Sequence, residues 1–162
     1  MQGDAEILNI LQKFGANVTV YNDCVSVEKS SLRAVDLDCE NIPDLVQIIS
    51  VVAAYADGVT VLRNVSRLRL KESDRVEAII AQLNTVGIRC EYADGDLHIH
   101  GGAPKGATLS GGNDHRTVMS ATVLALGANG ESKVVGVDPV NKSYTDFYND
   151  ISKLGGRINV DV

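Results

Sequence analysis

The stretch ILNILQKFGANV at residues 7–18 decides the fold, because two later stretches repeat its pattern. They are AIIAQLNTVGIR at residues 78–89 and FYNDISKLGGRI at residues 147–158. In each stretch, apolar residues at helical spacing lead to a glycine, and the three glycines lie 72 and 68 residues apart. Helices often end in a glycine with a left-handed conformation, so each stretch predicts a glycine-capped helix that turns into a strand.

A second type of segment alternates with the first. It is a mostly apolar stretch, then a turn with glycine, then a short β-branched run, and it spans residues 44–61 and again 114–137. Polar tips at residues 22–23 and 93–96 each join two alternating runs, which predicts two β-hairpins. The full pattern is strand, helix, strand, helix, strand, strand, and it returns after about 70 residues.

The repeats are unequally complete. Residues 32–100 hold one whole copy, whereas residues 1–28 and 107–160 hold parts of an earlier and a later copy. A repeat buries its apolar face only against its neighbours, so we expect this chain to be cut from a longer protein. We also expect an exposed apolar edge at the incomplete first repeat, which makes self-association plausible.

Composition limits the class of protein. The chain has 162 residues, of which 44% are hydrophobic and 22% charged, as in one soluble globular domain. Its net charge is −6 and it has no Trp, so neither nucleic acid nor an anionic membrane is an expected partner. No apolar run reaches the roughly 18 residues of a membrane-spanning helix.

The cysteines and histidines do not indicate a metal site. Cys24, Cys39 and Cys90 are odd in number and form no C-x-x-C pair, which is against a disulfide framework and a zinc site. We expect buried, inert thiols in a reducing cytoplasm. His98 and His100 share one face of a predicted strand, but without a third ligand a metal is not favoured.

Polar clusters stand just before the apolar helical stretches. Helix N-termini attract anions, and the basic residues of these clusters could together hold a small phosphate or carboxylate. Ordinary helix capping on a solvated surface is the alternative interpretation. The clusters are NIPD at 41–44, KESDR at 71–75, NDHR at 113–116 and NKS at 141–143.

The residues of these clusters resemble a known family. LRLKESDR at 68–75 and NDHR at 113–116 are similar to signature segments of the 5-enolpyruvylshikimate-3-phosphate synthase family. The resemblance continues through MQGD at 1–4, NIPD at 41–44 and KSY at 142–144. It implies an α/β fold, an inside-out barrel of βαβαββ repeats with parallel helices inside and sheets outside.

The resemblance also implies how the chain is placed in a larger enzyme. Residues 1–162 resemble the C-terminal domain, truncated at its start, while the N-terminal domain is absent. The implied reaction transfers the enolpyruvyl group of phosphoenolpyruvate to the 5-hydroxyl of shikimate-3-phosphate and releases phosphate. It belongs to the route to chorismate and the aromatic amino acids and needs no cofactor. We expect the fragment alone to be inactive.

The resemblance assigns roles to single residues. Glu72 matches the glutamate that works as acid and base at the methylene carbon, and Asp44 matches the aspartate at the attacking hydroxyl. The substrate-binding cations are implied to be Lys71, Arg75, Arg116 and Lys142. His115 is expected to be structural, and no metal is implied.

Two alternatives remain open at this point. The related enolpyruvyl transferase that acts on UDP-N-acetylglucosamine shares the fold but lacks the paired KESDR and NDHR segments. A non-catalytic repeat module would scatter its charged clusters over the surface, whereas the enzyme would gather them on one rim.

Overall fold

The computed structural model describes residues 3–160, so Met1 and Gln2 of the first family-like segment lie outside the described residues. The α-helices are α1 Ile7–Lys13, α2 Val46–Ala54, α3 Arg75–Thr85, α4 His115–Gly127 and α5 Phe147–Lys153. The strands are β1 Asn17–Val20, β2 Val25–Glu28, β3 Asp36–Asp38, β4 Val59–Arg63, β5 Cys90–Ala93, β6 Asp96–His100, β7 Thr108–Ser110 and β8 Lys133–Val135. Short 3-10 helices cover Gly3–Glu6, Ser66–Leu70 and Asp138–Lys142.

The predicted glycine caps are confirmed. Gly15, Gly87 and Gly155 have φ values of +88°, +84° and +95°. At the end of α1 the N–H of Ala16 donates to the carbonyl of Leu11 at 2.9 Å, and α3 and α5 end with the same bond between residues five apart. This left-handed turn is the conformation that glycine adopts without steric cost.

One part of the repeat prediction is wrong. A hairpin follows α1 and another follows α3, but residues 156–160 form no strand after α5. The first strand of a hairpin pairs with the second, as β5 pairs with β6. The described residues of the last repeat contain no counterpart of β6, so a strand at 156–160 has no hydrogen-bonding neighbour there.

The sheets confirm the repeat itself. The middle repeat forms a four-stranded sheet in the order β3-β4-β6-β5, with β3 and β4 parallel and the other pairs antiparallel. Leu37 pairs with Leu62, and Leu109 pairs with Val134 in the parallel pair β7–β8, 72 residues later. The hairpin β1–β2 has the register of β5–β6.

The helices form the interior, as the resemblance implied. Helices α2, α3 and α4 pack against one another, and the strands lie outside them. Seven of the nine residues of α2 are buried, which is typical of a helix surrounded by protein on all sides. Within residues 3–160 no helix combines the length and the apolarity that crossing a bilayer requires.

The cysteines divide into two groups. Burial raises the pKa of Cys39 and of Cys90 to about 12, so both thiols stay protonated at neutral pH, as expected. Cys24 is exposed beside β2, so the expectation of a buried thiol is wrong there. The reason is that the strand pair of the first repeat is covered on fewer sides than β5–β6.

The hairpin β1–β2 exposes an apolar face. Val25 and Val27 are 44% and 61% exposed, and Val20 on the same face is 56% exposed. Their counterparts in the complete repeat, Leu97 and Ile99, are fully buried. In that repeat α2 and the strand β4 lie against β6, and the described part of the first repeat has no equivalent of either.

The path of the chain out of the middle sheet requires glycine at one position. A β-carbon on Gly101 would lie 1.7 Å from the carbonyl oxygen of Ala56, whereas on Gly102 its nearest neighbour would be the flexible end of Ile88 at 3.3 Å. We therefore expect Gly101→Ala to lower the free energy of unfolding by about 3 kcal/mol and Gly102→Ala by less than about 1 kcal/mol. Urea denaturation of both variants checks this, and equal losses would contradict it.

Candidate active site

Three interior helices begin at the same end of the molecule. The side chain of Asp74 caps α3 by accepting the N–H of Glu77 at 3.1 Å, and that of Asp114 caps α4 by accepting the N–H of Arg116 at 2.9 Å. Helix α2 begins two residues after Asp44, without a side-chain cap. The polar clusters that precede these helices therefore meet at one edge.

Arg75 lies at the centre of this edge. Its Nε donates to Asp114 Oδ2 at 2.8 Å and its Nη1 donates to Asp44 Oδ1 at 2.9 Å. The side chain is 4% exposed and that of Asp114 is not exposed at all. A rigid guanidinium thus joins the segments that precede α2 and α4, which a flexible lysine cannot do with the same geometry.

These contacts keep both carboxylates ionised. Burial acts to raise the pKa of Asp114, but the hydrogen bond and charge of Arg75 hold it below its ordinary value of 3.8. Burial likewise acts against the charge of Asp44, and Arg116 and Lys71 outweigh it, so the pKa of Asp44 is also lowered. The pKa of Arg75 is raised because its bonds to the two aspartates outweigh the effect of burial.

Asp44 has two further cations on its open side. Lys71 Nζ lies 3.3 Å from Asp44 Oδ1, and Arg116 Nη2 lies 3.8 Å from Oδ2. Arg116 Nη1 also donates to the backbone carbonyl of Asp44 at 2.9 Å. Lys71 and Arg116 are 33% and 30% exposed, so an anion arriving from solvent can reach both of them.

Glu72 stands beside this cluster. Its Oε2 lies 3.3 Å from His115 Nδ1, and its side chain is 60% exposed. Ser73 donates its hydroxyl to Asp114 at 3.1 Å and so fixes the loop that carries Glu72. The structural role that the sequence predicts for His115 stays a prediction, and the contact places its ring next to the Glu72 carboxylate.

Three possible metal ligands meet in the same cluster. Ligand atoms of Glu72, Asp114 and His115 lie within 4.8 Å of one another. However, both oxygens of Asp114 already accept hydrogen bonds, from Ser73, Arg75 and the backbone of Arg116. A buried guanidinium bonded to one of the candidate ligands makes the group an ion-pair cluster rather than a cation site.

The structure gathers most of the predicted site residues. Lys71, Arg75 and Arg116 all contact Asp44, and Glu72 joins the cluster through His115. This convergence contradicts a module with scattered charges. Lys142 is different, because it is the last residue of the 3-10 helix Asp138–Lys142, is exposed, and makes no ion pair with any residue from 3 to 160.

Sequence reasoning missed part of the site. It treated Asp114 as a helix cap, whereas Asp114 is also the buried partner of Arg75. It gave no role to Arg69, which bonds Asp74 at 2.7 Å and lies 4.5 Å above the ring of Tyr92, holding the end of the loop. The spacing of Arg75 and Asp114 along the chain gives no signal for that pair, because only the fold brings them together.

The lowered pKa of Asp114 predicts acid sensitivity. A carboxyl with a depressed pKa contributes stability above its unfolded pKa, and this contribution is lost as the pH falls from about 3.8 through the lower folded value. We expect Asp114→Asn to lower the free energy of unfolding at pH 7 by about 3 kcal/mol and to flatten its decline below pH 4. Urea denaturation across pH checks this, with Asp94→Asn in an exposed turn as the control that should leave both quantities unchanged.

Comparison with known proteins points to one family. The sequence model of the family EPSP synthase (3-phosphoshikimate 1-carboxyvinyltransferase) matches residues 1–151 of this chain. A 3-phosphoshikimate 1-carboxyvinyltransferase from Pyrococcus furiosus is 43% identical over 154 residues, which are 95% of this chain and 38% of that protein. One from Clostridium novyi is 35% identical over 160 residues, 98% of this chain and 37% of its own length.

Solved structures agree with the sequence comparison. An EPSP synthase from Acinetobacter baumannii has a TM-score of 0.87 and 26% identity, and the match covers 99% of this chain and 40% of that one. The enolpyruvyl transferase NikO from Streptomyces tendae has the same fold, with a TM-score of 0.78 and 24% identity. That match covers 96% of this chain and 36% of the NikO chain. The chain thus spans 38% of the length of its Pyrococcus furiosus relative. With its sequence, its fold and its clustered KESDR and NDHR segments, the chain belongs to the EPSP synthase (3-phosphoshikimate 1-carboxyvinyltransferase) family.

Proposed function

We propose that this chain is the C-terminal part of an enzyme that transfers the enolpyruvyl group of phosphoenolpyruvate to the 5-hydroxyl of shikimate-3-phosphate. The observation that carries the proposal is the cluster around Asp44, in which cations from the starts of α3 and α4 meet the carboxylate that precedes α2, with Glu72 beside them. The repeats at 1–28, 32–100 and 107–160 form one domain, and the N-terminal domain supplies the other side of the cleft. The odd, unpaired cysteines fit a cytoplasmic enzyme.

Lys71 and Arg116 bind the anionic groups of phosphoenolpyruvate. Both are about one-third exposed, and Arg116 can offer two parallel N–H groups to a phosphate or carboxylate. Arg75 adds positive charge from the buried side of the cluster, but its guanidinium is bonded to Asp44 and Asp114. Lys142 is a further cation for the phosphate, on the short helix that packs against α4.

Glu72 is the acid and base at the methylene carbon. It donates a proton to C3 of phosphoenolpyruvate, and the cation that develops at C2 is attacked by the 5-hydroxyl oxygen. When the Glu72 carboxylate takes a proton back from C3, the double bond re-forms and the C2–O bond to phosphate breaks. His115 Nδ1, 3.3 Å from Glu72, holds the carboxylate in place during both transfers.

Asp44 accepts the proton of the attacking hydroxyl, and the departing phosphate takes that proton when the C2–O bond breaks, which restores the carboxylate. In the resting site it is a weak base, because Arg116, Lys71 and Arg75 all stabilise its charged form. A bound phosphate or carboxylate draws Lys71 and Arg116 toward itself, so the charge on Asp44 is less compensated. Its basicity therefore rises when the substrate is in place.

Turnover needs the remainder of the enzyme, which tests the proposal. We expect no phosphate release from both substrates by the chain alone, and measurable release after mixing with the part of the Pyrococcus furiosus relative that it does not match. In the mixture Glu72→Gln should reduce the rate at least about 100-fold, because general acid–base catalysis is lost. Glu77→Gln is the matched control, since Glu77 is also 60% exposed and paired with one cation.

Two results would contradict the proposal. One is phosphate release by the chain alone, and the other is an unchanged rate of phosphate release when the mixture contains Glu72→Gln. If the two parts do not assemble, titrating the isolated chain with phosphoenolpyruvate should shift the NMR signals of Lys71 and Arg116. Lys133, exposed on β8, should not respond.

The isolated chain is also proposed to self-associate through the apolar face of the hairpin. Val20, Val25 and Val27 are exposed there, and a second copy of the same face is the simplest cover for them. We expect light scattering to show a mass that rises with protein concentration, and Val25→Lys with Val27→Lys to abolish the rise. Val59→Lys is the control, because Val59 is 46% exposed but lies on a different sheet. A strictly monomeric parent chain would contradict the proposal.

A further inference from the structure

A second link between the helices lies beneath the charged cluster. Gln47, in the first turn of α2, donates its Nε2 to the hydroxyl of Thr117 in the first turn of α4 at 2.7 Å. Both residues are 2% exposed. The surrounding core is apolar, and Gln82 of α3 completes the group by donating to the carbonyls of Thr117 and Ser110 at 3.2 and 3.1 Å.

This polar group joins the same elements as Arg75 does. Arg75 spans the gap between Asp44, before α2, and Asp114, at the start of α4. Gln47 and Thr117 span the gap between the same two helices about one turn further in. The separation of α2 and α4 is therefore fixed by two contacts. The ion pairs of Arg75 lie near the open edge, and the neutral hydrogen bond between Gln47 and Thr117 lies deeper in the core.

The inner link is not an efficient way to stabilise the core. The Oε1 atom of Gln47 is buried and has no hydrogen-bond partner among residues 3–160. An unsatisfied buried acceptor costs free energy, and a leucine would fill a similar volume without that cost. A buried polar pair that stabilises the core inefficiently can still fix the relative position of the two helices that it joins.

We infer that Gln47 and Thr117 are positioning residues, which set the offset of α2 against α4 so that Arg75 reaches Asp44 and Asp114 together. Gln82 of α3 donates to the carbonyls of Thr117 in α4 and Ser110 at the end of β7, so it links α3 to both elements. The inference rests on the proposed function only for what the positioned charges do. Its test is made without substrate, so that its outcome is independent of the transferase assignment.

The test compares the double variant Gln47→Leu/Thr117→Val with the parent chain. We expect its melting temperature to stay within about 5 °C of the parent. The Arg75 Nε–H, which is bonded to Asp114, should nevertheless exchange with solvent at least about tenfold faster by NMR, because the gap between α2 and α4 is no longer fixed. Thr122→Val is the matched control, since Thr122 is buried on α4 and donates its hydroxyl to the carbonyl of Val118 in the same helix rather than to α2 or α3.

The outcomes are distinct. Unchanged Arg75 exchange in the double variant, or an equal change in Thr122→Val, would overturn the inference. If the double variant does not fold, Thr117→Val and Thr117→Ser decide instead, because only serine keeps the hydroxyl. Slow Arg75 exchange in the serine variant together with fast exchange in the valine variant supports positioning by the hydrogen bond, and equal exchange in both overturns it.

Discussion

The arrangement of the site depends on the buried ion pairs of Arg75 with Asp44 and Asp114. The Arg75 side chain is 4% exposed and that of Asp114 is not exposed, so solvent cannot replace a lost partner, and the guanidinium keeps the buried carboxyl ionised. Asp44 is shared between this buried pair and the two exposed cations Lys71 and Arg116. The interior of the domain and its open edge are therefore linked through a single carboxylate.

The repeat explains why the charges meet. Each interior helix follows a strand on the outside, and the register of the parallel pairs is repeated after 72 residues. Helices placed by equivalent strands begin at the same end, so α2, α3 and α4 bring the residues before them to one edge. The repeat thus creates a common edge, and the residue differences between the copies give that edge its asymmetric chemistry.

Sequence patterns predicted the local structure and most of the site, and failed where long-range packing decides. The glycine caps and both hairpins depend on neighbouring residues and were correct. The strand expected after Gly155 depends on a partner strand and is not formed. The catalytic candidates Glu72 and Asp44 came from family-like segments. The second role of Asp114 and the link between Gln47 and Thr117 involve residues 39 and 70 positions apart, which no local pattern relates.

The near balance of charge in the cluster has a consequence for recognition. Lys71, Arg75 and Arg116 face Asp44, Glu72 and Asp114, three positive groups against three negative ones, in a chain whose net charge is −6. Such a cluster by itself projects little positive field into solvent, so a multiply charged anion gains little long-range acceleration from these six groups. Under the proposed function, selectivity for the anion then arises at contact, when its oxygens take the place of Asp44 beside Lys71 and Arg116. A neutral metabolite of the same size cannot drive that exchange.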